Sequence, residues 1–588
     1  NGTYTLVVTF AIGTDLNFAQ VLVQNRVQSA MAQLPEAVQK QGVMVQQKST
    51  AILQFITLTA ENNEYDGLFL NNYATINMQD ELARLPGVGN VMIFGSGNYA
   101  MRIWLNPKKM LAYSLQPSDV LNAISTQNKQ ISAGQIASPP IVGNQPYQLT
   151  VNVPGQLVSP DEFANIIVKT NATQPNQKAN VSTSAKIVRI RDVGRVELGS
   201  SSYSQLARFN GKPAAAIAIF QLPGANALDV AQAVRSTVDK MAKKFPPGIQ
   251  YDIPFDTTKF VKASIHEVYN TLFEAGILVL LVIWLFLQNA RATLVPTTTV
   301  PVTIIGAFFA MLLIGYSINL LTLFALVLAI GIVVDDAIVI VEGVTQHIEK
   351  GMPPKKSAIE AMRELMGPII GITLVLMAVF VPAGFMPGLT GSMYAQFALV
   401  IAATAFISAI NAMTLKPTQC ALWLKPLAEQ ERKNVVFRTF DKIYHPLEAA
   451  YVRWIERLVH QIGPVSLIGA ALVALAIFGL TRIPTGFIPI EDQGYMMLNV
   501  QLPDSATLTR TDAVLSELRD KVSKIDGVEN VIAIDGVSLL DNNASLSNAG
   551  VLYIMFKDWS KRGKSENLMS LYQKLNTLAQ STLSAKVL

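Results

Sequence analysis

Between residues 269 and 481 the chain carries six stretches of about 20 mostly apolar residues, the length a helix needs to cross the hydrocarbon core of a bilayer. They lie at about 269–288, 294–315, 319–345, 366–386, 394–415 and 463–481, and the first includes the uninterrupted apolar run Ala275–Leu287. Backbone groups in hydrocarbon must be satisfied within their own segment, so the pattern predicts an all-α bundle of six spans. Pro296 and Pro301 fall inside the second span, where neighbouring helices can re-satisfy the freed groups. The same stretches explain why only 15% of residues are charged, against about 25% in soluble domains. Residues 1–263 and 482–588 read instead as ordinary soluble protein, so several domains are expected.

Basic residues set the orientation. Arg291 follows the first span, and Lys350, Lys355, Lys356 and Arg363 follow the third. Lys416, Lys425, Arg432, Lys433, Arg438, Lys442, Arg453 and Arg457 follow the fifth, while the loops 316–319 and 386–393 have neither Lys nor Arg. This alternation puts the basic loops in the cytoplasm and both soluble regions on the other side. In 436–460, Phe437, Phe440, Tyr444, Leu447, Tyr451, Trp454 and Leu458 recur at helical spacing. That stripe predicts a helix lying along the cytoplasmic membrane surface, with an ordinary packed helix as the alternative.

In the soluble parts, Tyr4–Phe10 and Gly42–Gln47 read as strands flanking a helix over Asp15–Leu34. Residues 76–125 read as helix, strand, turn, strand, helix, as in α+β domains of the split βαβ kind. GVGNVMIFG (87–95) resembles GVENVIAIDG (527–536), and QLPGANALDVAQAV (221–234) echoes QLPDSATLTRTDAV (501–514). The second soluble region therefore reads as the opening of a repeat of the first. Ser132–Gln148 reads as a protruding loop or hairpin and 170–185 as a polar surface loop. The chain starts at Asn1 without an initiator Met and stops at Leu588 just after a helical pattern, so both ends are expected to be cuts in a longer chain.

Asp335 and Asp336 stand side by side in the middle of the third span. A charged residue at the bilayer centre costs about 2.5–3.5 kcal/mol on insertion scales, and such residues mark ion paths and proton relays. Adjacent acids in a bundle exchange protons as a unit. Glu274 and Glu342 also fall in spans, but towards helix ends that can reach the interface. No span supplies a central Lys or Arg, so a cationic partner is expected outside this chain. The lone Cys420 excludes a disulfide framework, four scattered histidines argue against structural zinc, and a net charge of +5 without a long basic run argues against nucleic acid. No phosphate-binding loop G-x-x-x-x-G-K-[ST] occurs, so transport would draw on an ion gradient and the chain is not expected to be an enzyme.

The run LAIGIVVDDAIVIVEGV (328–344) resembles the fourth transmembrane helix of RND (resistance–nodulation–division) transporters. FDTTKFVKASIHEV (255–268), LFLQNARATLVPTTTVPV (285–302), FGSGNYAMRIWLNP (94–107), GFIPIEDQGYM (486–496) and KDWSKR (557–562) are similar to the hydrophobe/amphiphile efflux branch of that superfamily. The resemblance implies a multi-domain membrane protein: a transmembrane helix bundle with periplasmic α+β porter subdomains (split βαβ, ferredoxin-like) and a docking subdomain. It implies a partial first porter subdomain at 1–48, a second at 49–98 and 194–256, and a docking subdomain at 99–193 with an arm at 132–148. Transmembrane helices 2–6 would occupy 257–418, a cytoplasmic connection 419–462, helix 7 463–481, and the second periplasmic porter region would begin at 482–588. It further implies an inner-membrane homotrimer working with a periplasmic adaptor and an outer-membrane channel. Such a pump exchanges protons, its coupling ion in place of any cofactor, for amphiphilic compounds. By the resemblance Asp335 and Asp336 are the relay, and the distal substrate pocket falls on Ile52, Phe55, Met92, Phe94, Phe255, Met497, Ile532, Val537, Leu539 and Tyr553. Ile52, Ile532, Val537 and Leu539 depart from the phenylalanines usual in the family, which implies less stacking on planar cations.

Other readings meet specific difficulties. An intramembrane aspartyl protease needs its two acids on different helices. A heavy-metal exporter of the same superfamily, suggested by Met496 and Met497, needs thioethers along one path, whereas neighbours on a strand alternate faces. An inactive fragment is the remaining alternative.

Overall fold

The computed structural model describes residues 4–11, 13–47, 49, 51–130, 134–137, 140, 147–151, 155–170, 187–425, 435–483 and 491–588. They form two compact units, one built chiefly from 16–258 and 492–588, the other chiefly from 259–491.

The first unit contains the strands β1 (Ile52–Ala60), β2 (Val88–Phe94), β3 (Tyr99–Leu105), β4 (Gln135–Ile136), β5 (Leu149–Thr150), β6 (Ile167–Thr170), β7 (Ile187–Arg189), β8 (Gly194–Ser200), β9 (Leu206–Phe209), β10 (Lys212–Gln221), β11 (Ile249–Asp256), β12 (Tyr495–Gln501), β13 (Val528–Ser538), β14 (Ala544–Phe556) and β15 (Lys586–Val587). Nine of them make one sheet in the order β11-β1-β10-β9-β13-β14-β12-β15, with β2 also on β10. The short β9 is the joint: it pairs with β10 at Phe209–Lys212 and with β13 from Leu206–Asp535 to Phe209–Ile532.

The core strands are apolar on both faces, and their period of two sorts residues to opposite sides. On β10, Ala215, Ile217 and Ile219 pack beneath the helices Gly67–Ala74 and Ala227–Ala242, while Ala216, Ala218 and Phe220 turn the other way. On β14, Leu552, Ile554 and Phe556 meet the helices Leu508–Val522 and Leu568–Ser581, while Val551, Tyr553 and Met555 join the same far side as Phe220. The two sequence echoes become equivalent elements. Strands ending at Gln221 and Gln501 lead into helices starting at Ala227 and Leu508, and each Gly-Val-x-Asn-Val run enters a strand.

Several expectations need correction. Tyr4–Phe10 and Gly42–Gln47 are not strands. No described strand pairs with them, and alternation makes a strand only where a neighbour takes its N–H and C=O groups. The helix between them is Leu16–Ala30, followed by a tight turn at Met31–Gln33. The elements read in 76–125 are present, with β2 joined to β10 and β3 to β8. Most of 132–148 lies outside the described residues, although the antiparallel pair β4–β5 closes its base. The loop read at 170–185 lies outside them apart from Thr170, the last residue of β6.

All six predicted spans are helices in the second unit or entering it: Thr258–Leu287, Ala290–Ile314, Leu320–Glu349, Pro354–Ala383, Gly388–Trp423 and Ile462–Arg482. The second is interrupted at Thr298, between its two prolines, where threonine hydroxyls take up carbonyls: Thr297 Oγ1 donates to Thr293 at 2.8 Å and Thr298 Oγ1 to Val295 at 2.9 Å. The third and fifth spans are the buried centre, and the sixth has no buried residue. The amphipathic helix is Val435–Val459. Its first turns dock on the end of the first span, with Trp284–Phe437 and Phe286–Phe440 ring centroids 4.9 and 5.3 Å apart. The rest of its stripe, Leu447, Tyr451 and Trp454, is open.

Candidate functional site

The third span is aligned by its N-terminal cap. Asn319 accepts from the Thr322 amide at 3.0 Å, Thr322 accepts from the Asn319 amide at 2.9 Å, and the Asn319 side chain donates to Gln396 of the fifth span at 2.6 Å. Four turns on, Asp335 and Asp336 diverge as helix neighbours must. Asp335 is exposed, while Asp336 is half-buried against the fifth span, where Ser408 Oγ donates to its Oδ2 at 2.9 Å. One turn past Ser408, Asn411 is 5% exposed, and among the described residues neither polar atom of its amide has a partner. The structure therefore places one acid on a polar seam between the third and fifth spans and leaves the other on an uncovered face. Glu274 and Glu342 are both exposed.

Lys416 corrects the expected span boundary. The sequence placed it in the connection after the fifth span, but the helix runs on to Trp423 and Lys416 is fully buried within it. Its amine donates to the Val295 carbonyl at 3.0 Å, Thr298 Oγ1 at 3.0 Å and Gln419 Oε1 at 2.9 Å, so the break in the second span supplies two of its three acceptors. Lys416→Met should remove all three of these charged hydrogen bonds and cost about 1–3 kcal/mol, read as a lower thermal midpoint of the detergent-solubilised protein. Ser408, Asn411 and Lys416 all escaped the sequence reading. The available signal was three polar residues in one apolar span.

The ten residues assigned to a substrate pocket come together, with one exception. Phe55, Phe94, Phe255, Ile532, Val537 and Tyr553 are buried in one apolar cluster, with Ile52, Met92 and Leu539 packed on it. Phe55 is at its centre, with ring centroids 4.8 Å from Tyr553, 5.7 Å from Phe255 and 6.2 Å from Phe94. Burial, and then the neighbouring Tyr495, push the Tyr553 hydroxyl far above its ordinary range, so it stays neutral. Met497 is the exception: it pairs with Tyr553 across β12–β14 but is 47% exposed at the rim. The cluster draws on β1, β2, β10 and β11 from one part of the sequence and β13 and β14 from the other. It is a packed apolar core.

Residues 1–587 match the AcrB/AcrD/AcrF family. The chain belongs to that family. Over its full length it is 40% identical to multidrug resistance protein MdtF of Escherichia coli O157:H7. It is 39% identical over 96% of its length to multidrug export protein AcrF of Escherichia coli K12. It is 38% identical over 98% to the toluene efflux pump membrane transporter TtgB of Pseudomonas putida. The chain spans about half the length of these relatives, 54–55%. Membership in the AcrB/AcrD/AcrF family removes the aspartyl protease reading. The heavy-metal reading loses its one observation, since Met496 packs towards the helix side of β12 while Met497 is exposed.

Proposed function

We propose that the transporter containing this chain exports hydrophobic and amphiphilic compounds in exchange for protons, as a secondary transporter rather than an enzyme. The observation that carries the reading is the Asp335–Asp336 pair in the middle of the third span, with Asp336 half-buried and hydrogen-bonded to Ser408 of the fifth. Such acids bind and release protons, and the polar seam gives one of them a path between helices. The names of MdtF, AcrF and TtgB speak of multidrug and toluene export, which supports substrates of this class. The pump resides in the bacterial inner membrane as a homotrimer and works with a periplasmic adaptor and an outer-membrane channel, as the family resemblance implies.

The buried cluster is the substrate-binding wall of this reading. Its aliphatic members Ile52, Ile532, Val537 and Leu539 bind by apolar burial, at about 25 cal/mol per Å², without a ring to stack on. Everted membrane vesicles carrying the whole transporter and an imposed proton gradient test both parts. Aliphatic amphiphiles are expected to discharge the gradient strongly and planar cationic dyes weakly. Equal, strong discharge by the dyes removes the selectivity argument, and no discharge by either class removes proton coupling.

A further inference from the structure

The unit built from 16–258 and 492–588 holds a second pair of facing acids. Asp535, near the end of β13, is 1% exposed. It follows Val531 and Ala533 in register, so its side chain turns to the helix Leu508–Val522 and away from the ring cluster occupied by Ile532 and Ile534. On that helix it faces Asp512. No N–H or O–H donor among the described residues reaches either Asp535 oxygen. Asp512 is held by Arg208 of β9, whose Nε and Nη2 donate to its two oxygens, both at 3.0 Å.

A second cation, Arg519, acts on both acids through its charge, but no hydrogen bond from it reaches Asp535. Arg519, from the same helix as Asp512, is tied to Asp520 at 2.7 Å. On β14 the residue opposite Asp535 is Gly550. Arg208 is therefore the guanidinium that hydrogen-bonds the pair, and both its bonds go to Asp512. A buried carboxylate without a donor is costly, and a proton on Asp535 removes the cost by giving it an O–H to donate to Asp512.

We propose that Asp512 and Asp535 form a proton-binding site that holds one proton between them and locks β9 to β13. The lock sits where the two parts of the large sheet meet, because β9 is the strand that joins them. The next residue, Gly536, has φ +81°, and a Cβ there would meet the Ser204 carbonyl at 1.9 Å, so the chain just before β9 lies directly against β13. Burial first, and then Asp512, raise Asp535 to about 8, while the Arg208 and Asp535 hydrogen bonds outweigh burial to hold Asp512 below the usual range. The site is thus filled at neutral pH and empties as pH rises past about 8. In an opened seam Asp535 returns to the ordinary range near 3.9. Opening therefore releases a proton between about pH 4 and 8, and the seam loosens as pH rises through that window and no further above it. Ile532 and Ile534 form part of the cluster wall on the other side of β13, so the lock also steadies that wall. This last consequence rests on the proposed substrate role of the cluster; the proton site does not.

Hydrogen exchange of the whole transporter in lipid, corrected for intrinsic exchange chemistry, reads the lock directly. The opening constant of amides in 206–209 and 532–535 is expected to rise by up to tenfold per pH unit between pH 5 and 8 and then level off. Asp535→Asn places an amide donor on Asp512 in place of the acid O–H and should abolish the slope. A wild-type slope no steeper than that of Asp535→Asn overturns the proposal. Infrared titration of the Asp335→Asn/Asp336→Asn transporter, in which the membrane pair is absent and Asp535 is intact, gives a second reading. A protonated-carboxyl band lost near pH 8 supports the site, and its absence at pH 7 overturns it. Neither reading depends on export, so failure of the lock and failure of the proposed function are distinguishable.

Discussion

Asp335→Asn/Asp336→Asn in the whole transporter is expected to end proton-driven export, lowering substrate-induced proton flux by about 100-fold or more, the effect of losing a positioned proton-transfer group. Asparagine keeps the shape of each acid, and at 336 its carbonyl can still accept the Ser408 hydroxyl that now bonds at 2.9 Å. It cannot exchange a proton. The third span should insert at least as well, because an amide in hydrocarbon costs less than a charge. Proton flux in everted vesicles, measured beside protein abundance and thermal midpoint, separates lost chemistry from lost folding. Abundance should be unchanged while flux falls to background. Export at the normal rate from the double variant would remove the proton reading.

Phe55→Ala is expected to give the largest loss of stability, about 3–5 kcal/mol, because removing a buried ring forfeits its transfer energy and leaves a cavity. Phe55 has no exposed surface and touches rings from three other strands: Phe94 of β2, Phe255 of β11 and Tyr553 of β14. The cavity would therefore open at the point where the two parts of the sheet share a core. Calorimetry of the purified transporter should show a lowered transition for the extramembrane unit, with the transition of the span bundle little changed. A midpoint within about 1 °C of wild type would mean that the cluster is looser in solution than the close ring packing indicates.

The membrane bundle was legible because about 20 consecutive apolar residues have few alternatives to a span, and each of the six became one. The acid pair was legible for the same reason: charge in such a run has a cost that composition alone exposes. The amphipathic helix and the paired echoes at 87–95 and 527–536 were legible because period and repetition are local properties. Errors arose where a residue's state depends on distant chain. Tyr4–Phe10 alternates like a strand, yet no described strand pairs with it. Lys416 reads as a loop cation, but its three acceptors include a carbonyl and a hydroxyl 121 and 118 residues away.

The sequence by itself determined the six spans, the place of Asp335 and Asp336 in the third, and the likeness between the two soluble regions, because each follows from the local cost of exposing or burying particular side chains. Only the tertiary structure decided that Asp336 and not Asp335 meets Ser408, that nine of the ten pocket residues close into one core, and that Asp535 faces an Asp512 held by Arg208. Those outcomes depend on which helix and strand faces come together, and packing sets that over separations of 72 to more than 300 residues, where no local pattern reaches.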